Sequence, residues 1–219
     1  MIVNKKTKTF RSTAPDASLV VLNTFEGEGA LVFDLVWSMT DADFSLLEVS
    51  GMDWNRDLSP WEALAVFKND APFGGKADDY LHELAEKVIP AAVSEMGSKP
   101  KSVFIAGYSL AGLFAVYSLY KTSVFSGAAS ASGSFWFPGF LEFVSSHELA
   151  SKPSKVYLSL GDKEAKTRNS VMSMVQDNTE RLVTLYKAKG IDVVYELNPG
   201  NHFQDPAKRM AKGIARLLS

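Results

Sequence analysis

Residues 103–120 constrain this chain more than any other stretch. The apolar run Val103-Phe104-Ile105-Ala106 passes through Gly107-Tyr108-Ser109-Leu110-Ala111-Gly112 into a helical pattern at 110–120. A serine on so sharp a strand-to-helix turn, with small residues on both sides, has the form of a nucleophile elbow. The turn explains the composition. It holds the serine backbone in a strained region, so a side chain two positions earlier would clash, and glycine has no Cβ to clash. A small residue is needed again two positions after the serine, and Ala111 meets that need in place of the usual glycine. Gly112 lets the helix start lie close against the strand. An ordinary serine at a helix start is the bland alternative, and the strand–turn–helix context weighs against it.

Around this segment strand-like runs alternate with helical patterns. That order implies an α/β fold, a mostly parallel central sheet with helices on both faces. Strands are expected at 19–23, 44–49, 103–108, 127–132, 155–160 and 193–197, and helices at 29–40, 76–96, 110–120 and 167–189. The strand at 127–132 rests on its position, because its small residues have low β-propensity. Pro90 falls inside the long helix and should kink or divide it. A last helix has Asp205 as its expected N-cap, Pro206 at its first position, and Met210, Ile214 and Leu217 facing inward. The apolar stretch 60–67 has no clear type. No linker, repeat or low-complexity stretch interrupts the 219 residues, so the chain reads as one domain over 1–219, and 46% apolar content suffices for its core.

Several function classes drop out. A net charge of −2 leaves no footprint for nucleic acid, and no basic cluster suggests a membrane surface. The absence of cysteine excludes disulfides, thiol catalysis and cysteine metal sites. Three scattered histidines without a His-x-x-His spacing disfavour metal hydrolysis, so no metal or cofactor is expected. Glu26-Gly27-Glu28-Gly29 lacks the third glycine of a dinucleotide fingerprint, at Val32, and would set two glutamates against a pyrophosphate. Gly74-Gly75-Lys76 is followed by Ala77 and makes no phosphate loop. Residues 1–11 are Lys-rich without an apolar leader, and no run approaches membrane-spanning length; a cytoplasmic location is the expectation.

A serine hydroxyl becomes a useful nucleophile only when a base takes its proton. His82 lies beside an apolar helical stripe and reads as a surface residue, and His147 ends a helix, where the dipole accounts for it. His202 differs. It sits in the polar loop Asn198-Pro199-Gly200-Asn201-His202 after the last strand, where parallel sheets assemble their sites. The carboxylate that orients such a base should lie between serine and histidine in the chain, and Asp162 and Glu164 both follow the strand at 155–160. The oxyanion needs backbone donors. Leu110 N–H is supplied by the elbow, and a second donor is expected within Thr24-Phe25-Glu26, assigned to Phe25.

Gly107-Tyr108-Ser109-Leu110-Ala111-Gly112, Ser132-Gly133-Ser134-Phe135-Trp136, Ser159-Leu160-Gly161-Asp162-Lys163-Glu164 and Gly200-Asn201-His202-Phe203 together resemble the α/β-hydrolase fold. Within it they resemble the esterase family that includes esterase D and the siderophore esterases, from about residue 19 onward. The resemblance implies a triad of Ser109, Glu164 and His202, with the acid three positions after the strand-ending glycine. It implies a serine esterase acting on a small-molecule ester, with acyl transfer, thioester cleavage or a non-catalytic scaffold as alternatives. Substrate contacts are assigned to Tyr108, Phe135 and Trp136; the Phe135-Trp136-Phe137 cluster can equally be core. Only 22 residues separate Ser132 from Lys155, so no separate lid and an open cleft are expected, with Pro72-Phe73-Gly74-Gly75 as a flexible loop at its border. Ala111 departs from the formal motif, and the N-terminus is short for the strands that usually open such a sheet.

Overall fold

Every second residue of a central strand must be apolar on each face when helices cover both, and the middle strands here obey that rule. In the computed structural model, which describes residues 5–66 and 70–219, the chain runs β1 (Lys6–Phe10), β2 (Ser18–Asn23), α1 (Gly29–Trp37), β3 (Phe44–Ser50) and the short α2 (Trp54–Asp57). A two-strand ribbon follows, β4 (Glu62–Ala63) with β5 (Phe73–Gly74), then α3 (Ala77–Glu83) and α4 (Ile89–Met96). Next come β6 (Val103–Tyr108), α5 (Leu110–Lys121), β7 (Gly127–Ala131), α6 (Phe140–Ser146) and β8 (Lys155–Gly161). The chain continues through α7 (Val175–Ala188), β9 (Val193–Asn198) and α8 (Pro206–Leu218).

Seven strands form one sheet in the order β1-β3-β2-β6-β7-β8-β9, parallel except for β1. Leu19, Val21 and Ile105 lie on the face covered by α3, α4, α5 and α7, whereas Val20, Leu22, Phe104 and Ala106 lie on the face covered by α1 and α8. At the strand of small residues, β7, helices come close to the sheet on both faces, α5 through Gly112 and α8 through Gly213. A Cβ on Gly213 of α8 would lie 2.7 Å from the Tyr157 ring and 3.2 Å from the Ala129 methyl. Larger side chains on β7 would lift α8 off the sheet. Its composition follows from that closeness, not from strand propensity.

The main departures from expectation have local causes. β1, not expected from the sequence, pairs antiparallel with β3 at the sheet edge. Its Lys6, Thr7 and Lys8 are exposed and give no apolar signal, as suits an edge protected against further pairing. The helix at 76–96 is divided by a π-helical turn at Leu84–Val88 just before Pro90. Proline lacks an N–H and its ring crowds the carbonyl four residues back, and the widened turn relieves both. The helix expected from 167 begins as a 3₁₀ turn at Met172–Met174, where the Asn169 side chain accepts the Val171 and Met172 N–H groups. Asp205 does not cap α8 with its side chain; its backbone is left-handed, with φ 52°. Of the stretch 60–67, residues 62–63 form β4 and Phe67 lies outside the described residues, as do residues 1–4 of the Lys-rich N-terminal segment.

Candidate active site

β6 ends on the nucleophile candidate. Ser109 has φ 56° and ψ −122°, a conformation that ordinary residues avoid. Two backbone hydrogen bonds hold it there: Ser109 N–H donates to Ala131 C=O, and its own carbonyl accepts Ser134 N–H, both at 3.1 Å. A Cβ at Gly107 would stand 2.5 Å from the Ala111 carbonyl, and one at Gly112 would stand 2.6 Å from Ser130 Oγ on β7. Gly107→Ala is therefore expected to lower stability by roughly 1–3 kcal/mol by overpacking, read as a lower urea midpoint in chemical denaturation. Turnover should fall as well, because the displaced backbone is the one that aims Ser109.

His202, in the loop between β9 and α8, places Nε2 3.1 Å from Ser109 Oγ and Nδ1 2.8 Å from Glu164 Oε2. An ionised carboxylate can only accept, so Nδ1 carries the proton and Nε2 presents its lone pair to the serine hydroxyl. Glu164 Oε1 accepts from Gly161 N–H at 2.6 Å, Ser132 Oγ at 2.7 Å and Arg209 Nη1 at 3.0 Å. Burial opposes ionisation of this side chain, which is 3% exposed. The hydrogen bonds from His202, Ser132 and Gly161, with the nearby imidazole, outweigh that cost and hold the carboxyl below its ordinary range. Asp162 is placed otherwise. Its Oδ1 accepts Gly200 N–H at 2.8 Å, so it fastens the histidine loop and does not touch the imidazole.

Arg209, 3% exposed on the first turn of α8, escaped the sequence reading. Its guanidinium reaches Glu164, Ser132 and Tyr108 through Nη1, and the carbonyls of Pro199 and Asn201 through Nη2, all between 3.0 and 3.2 Å. One fork thus ties the carboxylate to two carbonyls of the segment that leads into His202. The available signal was a charge one position before Met210 on the inward face of an amphipathic helix. Tyr108 completes the tie by donating from its hydroxyl to the His202 carbonyl at 2.6 Å. Burial is the main cause that keeps this phenol above its ordinary range, so it stays a donor. The sequence pattern alone gives Ser132 and Ser134 no role. Ser132 is strained, with φ 50°, and serves Glu164, while Ser134 Oγ sits 3.3 Å from Ser109 Oγ.

Two clefts meet at Ser109 and His202. The larger, of about 430 Å³, is bordered by Trp54, Phe73, Trp136, Lys163 and Met172. The smaller, of about 260 Å³, is bordered by Phe25, Trp54, Tyr108, Phe203 and Met210. Trp136 thus lines the cleft, but Phe135 does not. Phe135 is 1% exposed and stacks on Phe140, so its assignment to substrate binding is corrected to core, and Phe137 is buried likewise. Phe73 borders the larger cleft from an ordered ribbon, where a loose loop was expected. Among the described residues neither Leu110 N–H nor Phe25 N–H donates to a protein acceptor. His82 is exposed, and His147 places Nδ1 2.9 Å from the Phe143 carbonyl at the end of α6.

A mostly parallel sheet whose central strand ends on a strained serine defines the α/β-hydrolase class, and comparison with solved structures agrees. The siderophore hydrolase EstB from Aspergillus nidulans matches with a TM-score of 0.74 at 17% identity, over 100% of this chain and 96% of its own. An IroE-like serine hydrolase from Shewanella oneidensis matches with a TM-score of 0.75 at 16% identity, over 98% of this chain and 80% of its own. At such identities the likeness establishes the fold. Residues 47–212 match the family described as "Putative esterase". The chain belongs to this esterase family. Among curated sequences, the uncharacterized protein YbbA of Bacillus subtilis strain 168 is 26% identical over 137 residues, 61% of this chain. The match spans 55% of YbbA, about half of that relative's length. No described helix is long and apolar enough to cross a membrane.

Proposed function

We propose that this chain hydrolyses carboxylic esters through a serine acyl-enzyme. The observation that carries this reading is the unbroken hydrogen-bonded path from Ser109 through His202 to a buried Glu164, set on a strained turn where two clefts meet. Ser109 Oγ attacks the ester carbonyl carbon as its proton passes to His202 Nε2. The carbonyl oxygen becomes an oxyanion, stabilised by Leu110 N–H and Phe25 N–H. When the C–O bond to the alcohol breaks, His202 returns the proton to the leaving oxygen. Water then repeats the sequence on the acyl-serine: His202 takes its proton, the carbonyl is attacked, and Ser109 leaves with the proton given back. Glu164 keeps the imidazole in the right tautomer and stabilises it while it is charged, and Arg209 holds that carboxylate in place.

The two clefts suit the two halves of an ester, one for the acyl group and one for the alcohol, both bounded by aromatic side chains. Esters of small and medium size fit volumes of about 430 and 260 Å³. The test is covalent capture with a fluorophosphonate. A single adduct on Ser109, found by peptide mass mapping, with matching loss of chromogenic acetate ester turnover, is the expected result. Full turnover in the labelled protein, or labelling elsewhere with Ser109 untouched, would overturn the proposal.

A further inference from the structure

Glu48 is a buried carboxylate that the proposed mechanism does not use. It stands near the end of β3, paired in register with Leu22 of β2, and is 5% exposed. Burying an ionisable group is costly unless its oxygens are bonded, so the bonds it makes explain its presence. A single oxygen, Oε1, accepts Thr24 Oγ1 at 2.9 Å and Gly29 N–H at 2.6 Å.

Those two donors are the ends of the loop that carries Phe25. Between them, Glu28 Oε2 accepts Gly27 N–H at 3.1 Å and Glu26 N–H at 3.3 Å. Of the loop amides from 24 to 29, those of Thr24 and Gly29 are bonded to β3 and those of Glu26 and Gly27 to the Glu28 side chain, while those of Phe25 and Glu28 have no such partner among the described residues. Gly29 is needed for this arrangement, because a Cβ there would stand 2.4 Å from Glu48 Cδ. The Glu26-Gly27-Glu28-Gly29 segment, a poor dinucleotide fingerprint, has its explanation here.

We propose that Glu48 is a positioning residue for the oxyanion site. By gathering Thr24 and Gly29 on one oxygen, it fixes the span of the loop and so the direction in which Phe25 N–H points. The inference rests on the acyl-enzyme reading above and adds the residue that makes its second donor effective. Removing an oxyanion donor costs on the order of 10²–10³ in turnover, and misplacing one by about 1 Å can cost on the order of 10².

The experiment compares Glu48→Ala, Glu48→Gln, Thr24→Val and Ser109→Ala on a chromogenic acetate ester, with folding checked by circular dichroism. A second readout is affinity for a trifluoromethyl ketone. Ser109 Oγ adds to its carbonyl carbon, the proton passes to His202, and the hemiketal oxygen occupies the oxyanion site. Glu48→Ala is expected to lower kcat by about 10- to 100-fold with KM within about threefold, and to weaken the ketone by the same factor as kcat. Glu48→Gln keeps an accepting oxygen and should restore most of what alanine loses; Thr24→Val, lacking one of the two donors, should fall between. Wild-type kcat and ketone affinity in Glu48→Ala overturn the inference, as does a glutamine variant no better than alanine. If Glu48→Ala does not fold, Thr24→Val decides, and unchanged kcat and ketone affinity there have the same force. Turnover surviving in Ser109→Ala would instead sink the acyl-enzyme reading. An inactive Ser109→Ala beside an unimpaired Glu48→Ala removes only the role of Glu48.

Discussion

Ser109→Ala is expected to lower kcat for a chromogenic acetate ester by up to about 10⁶-fold while leaving the fold intact. The reason is chemical. Alanine has no oxygen to form the acyl-enzyme, and what remains is binding and the two amide donors. His202→Ala should fall nearly as far, because an unassisted hydroxyl is a poor nucleophile at neutral pH. The double variant should be little worse than either single one, since serine and histidine act as a unit. Initial rates for the three proteins, each with a wild-type circular dichroism spectrum, check this. A double variant whose losses multiply would show that the two residues act independently and would contradict the path from Ser109 Oγ to His202 Nε2.

Arg209→Met is expected to produce the largest loss of stability of any change near the site, about 3–5 kcal/mol. Arg209 and Glu164 are each 3% exposed in their side chains, so methionine would leave a buried carboxylate without its cation and two loop carbonyls without their donor. Arg209→Lys should recover only part of this, because one ammonium cannot span acceptors arranged around a planar fork. The pH dependence has a definite sign. Glu164 is held below its ordinary carboxylate range in the folded protein, so its contribution is full above the unfolded value and disappears as pH falls through the lower, folded one. Methionine at 209 leaves that carboxylate buried without its cation, a cost that protonation relieves, so the gap between wild type and Arg209→Met should be widest near neutrality and narrow in acid. Urea denaturation across that range measures it, and a gap independent of pH would mean that the arginine acts through packing and its neutral acceptors, without the carboxylate.

The outline of the sheet was legible because most of its strands are short apolar runs separated by helical patterns, an alternation that survives without any knowledge of contacts. Ser109 and His202 were legible too, one from the small residues its turn demands and the other from its place after the last strand. The acid was not. Asp162 and Glu164 are both loop carboxylates, and only the side-chain reach across the β8–β9 edge separates the one that meets His202 from the one that meets Gly200. β1 was hidden because an edge strand shows solvent a row of polar residues. Arg209 was hidden because a single basic residue in a helix reads as surface, and its partners come from four distant segments. Phe135 misled for the opposite reason: three aromatic letters in a row do not tell which ring turns inward.

The guanidinium that steadies the imidazole belongs to the last helix, which buries Met210, Ile214 and Leu217 against one face of the sheet and brings Gly213 close to Tyr157 and Ala129. Undocking of this one helix should still demand less than melting the strands beneath it, because the strands keep their ladder of backbone bonds when it leaves. Heat would then silence the molecule before it unravels it. Shelf life would be decided by how firmly that final segment stays clipped down.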